Sequence, residues 1–247
     1  MTDSQSLLSG RHRIRMSSTR RTLDIEKLPR YERKKAQTRE RIYRAALRLF
    51  AQRGLASTTV DEIVAAADVA KGTFFNYFHS KEEIFAFFIE IQLSKVVRAV
   101  EEAQRGKHSI QDVLRKAFER LGGEVGSSPN LARALVTSVL GNEAARKTIA
   151  MGMAEGRRLL EVILRLGQER GEVRSDRTVQ AMSLAFQQAL FGAVVLWGIL
   201  PQPKLATVLS TTFRDYWACI EVQKRRSRRV HRQKRSAQSS RRISHAE

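Results

Sequence analysis

Apolar residues return at three- and four-residue intervals along most of this chain, and stretches that alternate apolar with polar are hard to find, so the pattern predicts helices throughout and no sheet. The folded region begins near Glu32. Ile42, Ala45, Ala46, Leu49 and Phe50 form the inner side of a first helix, with Arg39, Arg41, Arg44 and Arg48 on its wet side and Gly54 closing it. Thr59 with Glu62 reads as a capping box that opens a second helix to about Ala66, whose inner positions are Val60, Ile63 and Val64. A turn at Ala67-Asp68-Val69 leads to a third helix, about Ala70 to Tyr77. Ser80 with Glu83 reads as another capping box, opening a long fourth helix through Ile84, Phe87, Phe88, Ile91 and Val96 towards Ala103.

Beyond Gly106 the period stays helical. Ser109 caps a segment to about Leu121, Ser128-Pro129 supplies a cap and first-turn proline, and Asn142 starts a helix that ends near Gly171. Ser175-Asp176 opens a segment through Val179, Met182, Phe186, Leu190, Val194 and Trp197 that Pro201 stops. Leu205, Val208, Leu209, Thr212, Phe213, Tyr216, Trp217 and Ile220 line a last helix, and the two together read as a hairpin with more than one apolar side.

The formal charge changes the picture: +20 over 247 residues draws polyanions at long range, which makes nucleic acid or an anionic membrane surface the leading partner class. Much of it sits at the ends. Residues 1–33 read as a basic arm and 224–247 as a basic tail, neither with the apolar content for a core; the tail is either a solvated charge run or a nonspecific anchor on DNA. The single cysteine, Cys219, has no thiol partner, which fits a reducing cytoplasm. The longest apolar run, Ala189 to Leu200, is short for a bilayer that takes about 20 residues, so no membrane span is expected. His12, His79, His108, His231 and His245 fall at no metal-ligand or triad spacing, and no glycine-rich phosphate loop follows a strand. No catalytic residues, metal or cofactor are expected.

Chemistry concentrates in Thr58 to Lys81, TTVDEIVAAADVAKGTFFNYFHSK. Two short helices joined by a three-residue turn let the second lie in a major groove while the first braces it. Val60, Ile63, Val69, Phe74 and Phe78 would form the small core that sets their angle. Lys71, Gly72 and Thr73 stand at the amino end of the second helix, where amide hydrogens, a hydroxyl and an ammonium can reach phosphate oxygens.

This stretch, with the Ala45-to-Phe50 helix before it, closely resembles the DNA-binding signature of the TetR family over roughly residues 36 to 96. The resemblance implies an all-α protein: a three-helix DNA-binding head (36–96, helix-turn-helix about 59–78) on a helical body (97–223) that binds a small-molecule effector and forms a homodimer. It also implies that Phe75, Asn76 and Tyr77 face the groove, with Thr58 or Thr59 and Lys81 on the flanking phosphates. Asn76 is the best base reader, since an amide can pair bidentately with adenine. Three positions depart from the family pattern: Phe75 where tyrosine is usual, Tyr77 where histidine is usual, and Asp68 in place of the turn glycine.

For the body, the resemblance implies an apolar ligand pocket, with Phe118, Leu135, Met151, Met153, Met182, Phe186 and Gln187 as candidates. The last two helices imply a dimer interface, with Leu190, Val194, Trp197, Leu209, Phe213, Tyr216 and Trp217 as candidates. The resulting expectation is a cytoplasmic, nucleoid-bound repressor released by a small apolar molecule. A nonspecific nucleic-acid or nucleoid-binding protein, and a regulator controlled by a protein partner, are the rival readings.

Overall fold

The computed structural model describes residues 29–123, 125 and 128–222. The tail 224–247 and all but the last few residues of the basic arm lie outside them. Nine helices are found among the described residues: α1 (Arg30–Arg53), α2 (Val60–Ala67), α3 (Lys71–Phe75), α4 (Glu83–Gln104), α5 (Ile110–Gly123), α6 (Pro129–Gly141), α7 (Glu143–Glu169), α8 (Val179–Ile199) and α9 (Leu205–Ile220). Among the described residues the extended backbone pairs only at an isolated antiparallel bridge between Val173 and Glu221. The protein is all-α.

Most boundaries follow from local chemistry. Gly54 ends α1 at φ +79°, a value that favours glycine, and its amide donates to the Phe50 carbonyl. Thr59 and Glu62 form the expected reciprocal capping box on α2. Asp68 closes α2 in the left-handed region (φ 51°, ψ 58°), which a short polar side chain tolerates better than a branched one. Ser128 caps α6 with Pro129 in the first turn, and the Asn142 side chain accepts from the Ala145 amide at the start of α7.

Two starts differ from the sequence expectation. Glu83 reaches back to the His79 amide (2.9 Å) and to the His79 imidazole (3.1 Å), not to Ser80, and α4 starts after Glu82 with no side-chain cap. Helix α8 is capped by Thr178, whose side chain accepts from the Ala181 amide, while Asp176 is bound to Arg174.

The head is α1 to α3 with the first turns of α4, built around Tyr43, Phe50, Ile63, Phe74, Phe78 and Phe85, all at most 1% exposed. Its rings interlock: Phe74 on Phe78 (5.8 Å), Phe78 on Phe87 (5.9 Å) and Phe50 on Phe85 (5.8 Å). Val60 and Val69 pack half-buried on this cluster. The body is α5 to α9 with the rest of α4. It centres on Phe118, Phe186, Phe213 and Tyr216, a second aromatic cluster with edge-to-face contacts of Phe118 on Phe186 (5.1 Å) and Phe186 on Tyr216 (5.5 Å). Helix α4 belongs to both units, and α1 also packs along α6.

Helix α8 is long and apolar enough to cross a membrane by length and composition alone, with mean hydropathy 1.5 over 18 residues. Its position explains that composition. One side is core (Met182, Trp197), a second lines a cavity (Phe186, Gln187, Leu190, Val194), and a third lies open (Leu184, Leu196, Ile199), with the half-exposed Phe191 at the cavity's edge.

Candidate nucleic-acid interface and internal cavity

Helix α3 has two faces, and their separation follows from helical spacing. Phe74, with Phe78 just beyond the helix, is buried in the head, while Lys71, Gly72, Phe75 and Asn76 stand exposed on the opposite side. Thr73 and Tyr77 are half-buried at the edges. Phe75 is 44% exposed, and its ring is held edge-on against Phe74 at 5.4 Å. The exposed row therefore presents an ammonium, an open backbone, an apolar ring and a side-chain amide together. A Cβ added at Gly72 would meet nothing within 4 Å, so the backbone there is free to be approached closely.

The Lys71 ammonium lies 2.8 Å from the Asp61 carboxylate of α2, and both side chains are more than half exposed. An exposed pair of this kind is worth little, so Lys71 can exchange Asp61 for a phosphate at small cost. Thr59 is exposed, with its hydroxyl oxygen accepting from the Glu62 amide at 3.2 Å, which leaves the O–H free to donate.

Thr58 and Lys81, expected on phosphates, do other work. Thr58 is fully buried and its hydroxyl donates to the Gly54 carbonyl at 2.8 Å. The Lys81 ammonium donates to the carbonyls of Leu55 (2.9 Å), Ala56 (3.2 Å) and Thr58 (2.8 Å), tying the α1–α2 loop to the start of α4. All three ammonium hydrogens are thus engaged within the head.

Two carboxylates hold the ends of the helix-turn-helix. The Thr59 amide donates to Glu62 at 2.9 Å and holds its carboxyl below the usual value of 4.5. For Glu83, partial burial pushes the carboxyl up, but hydrogen bonds from the His79 amide and ring outweigh it, and the net direction is also down. A carboxylate whose folded pKa lies below its unfolded one adds stability above the unfolded value and loses it as pH falls through the folded one. Thermal stability of the head is therefore expected to be flat in these two groups at neutral pH and to fall below about pH 4.5, where unfolded carboxylates begin to bind protons. Melting curves against pH test this, since Glu62→Gln with Glu83→Gln should flatten the acid limb.

Behind the head the body encloses a cavity of 190 Å³ between α4, α6, α7 and α8. Leu135, Met153, Phe186 and Gln187 line it. Three other candidates do not. Phe118 and Met182 are at most 1% exposed within the packed core, and Met151 is 60% exposed on the outer side of α7. The sequence reading missed the α4 wall, Phe88, Ile89, Gln92 and Leu93, and the close approach that shapes it: a Cβ on Gly152 would come within 2.3 Å of Ile89. The glycine pair four apart on α7, Gly152 and Gly156, was the available signal.

The interface candidates are likewise displaced. Trp197, Leu209, Phe213, Tyr216 and Trp217 are all 7% exposed or less inside the subunit, and Leu190 and Val194 line the cavity. The apolar residues that face outward on α8 are Leu184, Leu196 and Ile199, with Phe191 exposed at the cavity's edge.

Residues 42–86 match the profile of bacterial regulatory proteins of the tetR family. The similarity to that family lies in the helix-turn-helix segment. The matched segment runs from the middle of α1 through the helix-turn-helix to the first turn of α4, the part whose geometry is given above. HTH-type transcriptional regulators YerO of Bacillus subtilis and TcmR of Streptomyces glaucescens are each 35% identical, over 32% and 38% of this chain. The matched regions span only 28% and 41% of the length of those two relatives. The repressor KstR2 of Rhodococcus jostii is 27% identical over 71% of this chain and 85% of its own. Among solved structures, Thermus thermophilus FadR in complex with lauroyl-CoA is 27% identical, with a TM-score of 0.55 over 76% of this chain and 97% of that one. A complex of SmeT with triclosan is 19% identical, with a TM-score of 0.62 over 76% of this chain and 93% of that one, and shares the fold.

Proposed function

We propose that this chain is a dimeric transcriptional repressor that holds a palindromic operator through two copies of α3 and releases it when an uncharged apolar molecule occupies the body cavity. The observation that carries the reading is the two-faced α3, whose apolar side is locked into an aromatic core and whose other side presents Lys71, Gly72, Phe75 and Asn76 to solvent. A recognition helix needs this separation, because its groove face must stay free while its angle is fixed. The naming of KstR2 as a repressor supports the first half, and the complexes of FadR with lauroyl-CoA and of SmeT with triclosan, each ligand having an apolar part, support the second.

Helix α4 supplies the link between them. Phe88 and Ile89 line the cavity, while the neighbouring Phe87 and Glu90 hold Arg39 of α1, with the guanidinium 4.0 Å over the Phe87 ring and 3.1 Å from the Glu90 carboxylate. A ligand that moves α4 therefore moves the head with it. The open row on α8, Leu184, Phe191, Leu196 and Ile199, suits a second copy of the chain, since a contiguous apolar strip on a soluble protein marks an interaction site. The chain would act in the bacterial cytoplasm on the nucleoid.

The rival, a binder driven by charge alone, draws on the +20 formal charge. Anisotropy titrations against an upstream fragment in large excess of random DNA separate the two. A specific repressor keeps its complex and loses it on adding effector, whereas a charge-driven binder is competed away.

Phe75 makes a further expectation. A thymine methyl is the apolar group that the major groove offers, so the exposed ring should sit against one. Replacing that thymine with uracil should weaken operator binding by about 1 kcal/mol, roughly the burial of one methyl. Base-by-base uracil scanning checks this, and in Phe75→Ala the sensitivity should vanish.

A further inference from the structure

We infer that the molecule taken up by the body carries a neutral hydrogen-bond acceptor, such as a ketone or ester oxygen, and that Gln92 is the group that recognises it. This rests on the effector reading above and names the chemistry of that effector.

Among the described residues only two polar side chains, Gln92 and Gln187, belong to the cavity wall, and none is charged. Gln187 is engaged at both ends: Arg157 donates to its oxygen at 2.8 Å, and its nitrogen donates to the Met153 carbonyl at 2.7 Å. Gln92 is engaged at one end only. The Lys95 ammonium lies 3.4 Å from its oxygen and is itself anchored on the Arg120 carbonyl at 3.1 Å. An ammonium has no lone pair to offer, so it fixes which way the amide is turned: oxygen to Lys95, nitrogen away. That nitrogen is shielded from solvent and has no hydrogen-bond partner.

A buried N–H without an acceptor is unfavourable, and such groups are rare enough in native structures that each one calls for a reason. An acceptor on the incoming molecule supplies the missing partner. A carboxylate would shed its water against a wall that holds no cation, which favours the neutral acceptor.

The test uses the full-length chain and N-phenyl-1-naphthylamine as a fluorescent reporter of the cavity, displaced by benzophenone or by diphenylmethane. The two competitors share a skeleton and differ at the carbonyl. In a purely apolar cavity the hydrocarbon binds better, because the ketone must be desolvated. Here the ketone should bind about tenfold better, and Gln92→Leu should reverse the order.

Equal or stronger binding of diphenylmethane by the wild type would overturn the assignment, as would failure of both to displace the reporter. Ketone preference persisting in Gln92→Leu would do the same. The wild-type comparison stands whatever the variant's stability. Operator binding measured in the same samples separates the two ideas: ketone discrimination without DNA release keeps the role of Gln92 and removes the effector reading.

Discussion

Replacing Gly72 with aspartate should lower operator affinity by about a hundredfold or more while leaving the fold as stable as before. The two halves of this expectation have separate physical causes. In the free protein a Cβ at residue 72 meets nothing within 4 Å, so the larger side chain has room. A carboxylate in the first turn of α3 also faces exposed amide hydrogens, which favours the folded state by up to about 0.5 kcal/mol. On DNA the same carboxylate would stand where the phosphates are to be received, and like charges brought together cost several kcal/mol. Mobility-shift titration beside a thermal melt reads both halves. Unchanged binding, or binding lost together with the fold, would contradict the placement of α3 in the groove.

Lys81 gives the second large effect, with the opposite division. Its ammonium holds three carbonyls of the α1–α2 loop, so Lys81→Met should destabilise the head by about 1–3 kcal/mol, the partly exposed site keeping the cost below that of a fully buried group. A melting temperature lower by about 3–10 °C is expected. The salt dependence of operator binding should keep its slope, because no phosphate contact has been removed; a lost contact would reduce it by about one. An unchanged melt with a shallower slope would return Lys81 to the DNA.

What the sequence made legible was whatever depends on near neighbours. The Thr59–Glu62 box, the Gly54 and Asp68 turns, and the burial of Phe74 and Phe78 beside an exposed Asn76 all rest on spacings of a few residues. The structural role of Lys81 was hidden because its partners lie 23 to 26 positions away. His79 as the partner of Glu83 was missed by a single residue, since a glutamate side chain spans three or four positions about equally well.

In the body, periodicity marks an apolar side without saying what covers it. Helix α8 is apolar nearly all round, so Leu190 and Val194, read as interface, line the cavity, and Trp197 is core. Phe118 and Met182 looked like pocket residues for the same reason and are packed among aromatic rings or core. The wall on α4 was overlooked because Phe88 and Ile89 alternate there with Phe87 and Glu90, which serve the head.

On the reading proposed above, two exposed α3 helices, related by the symmetry of a dimer, enter successive major grooves of one duplex. Binding-site selection from random DNA with the full-length chain tests it most directly. The expected result is enrichment of an inverted repeat whose half-sites lie about one helical turn or a multiple apart, with a thymine in each half and one dimer bound per repeat. Recovery of unrelated sequences with no symmetric core, bound in proportion to length, would contradict it.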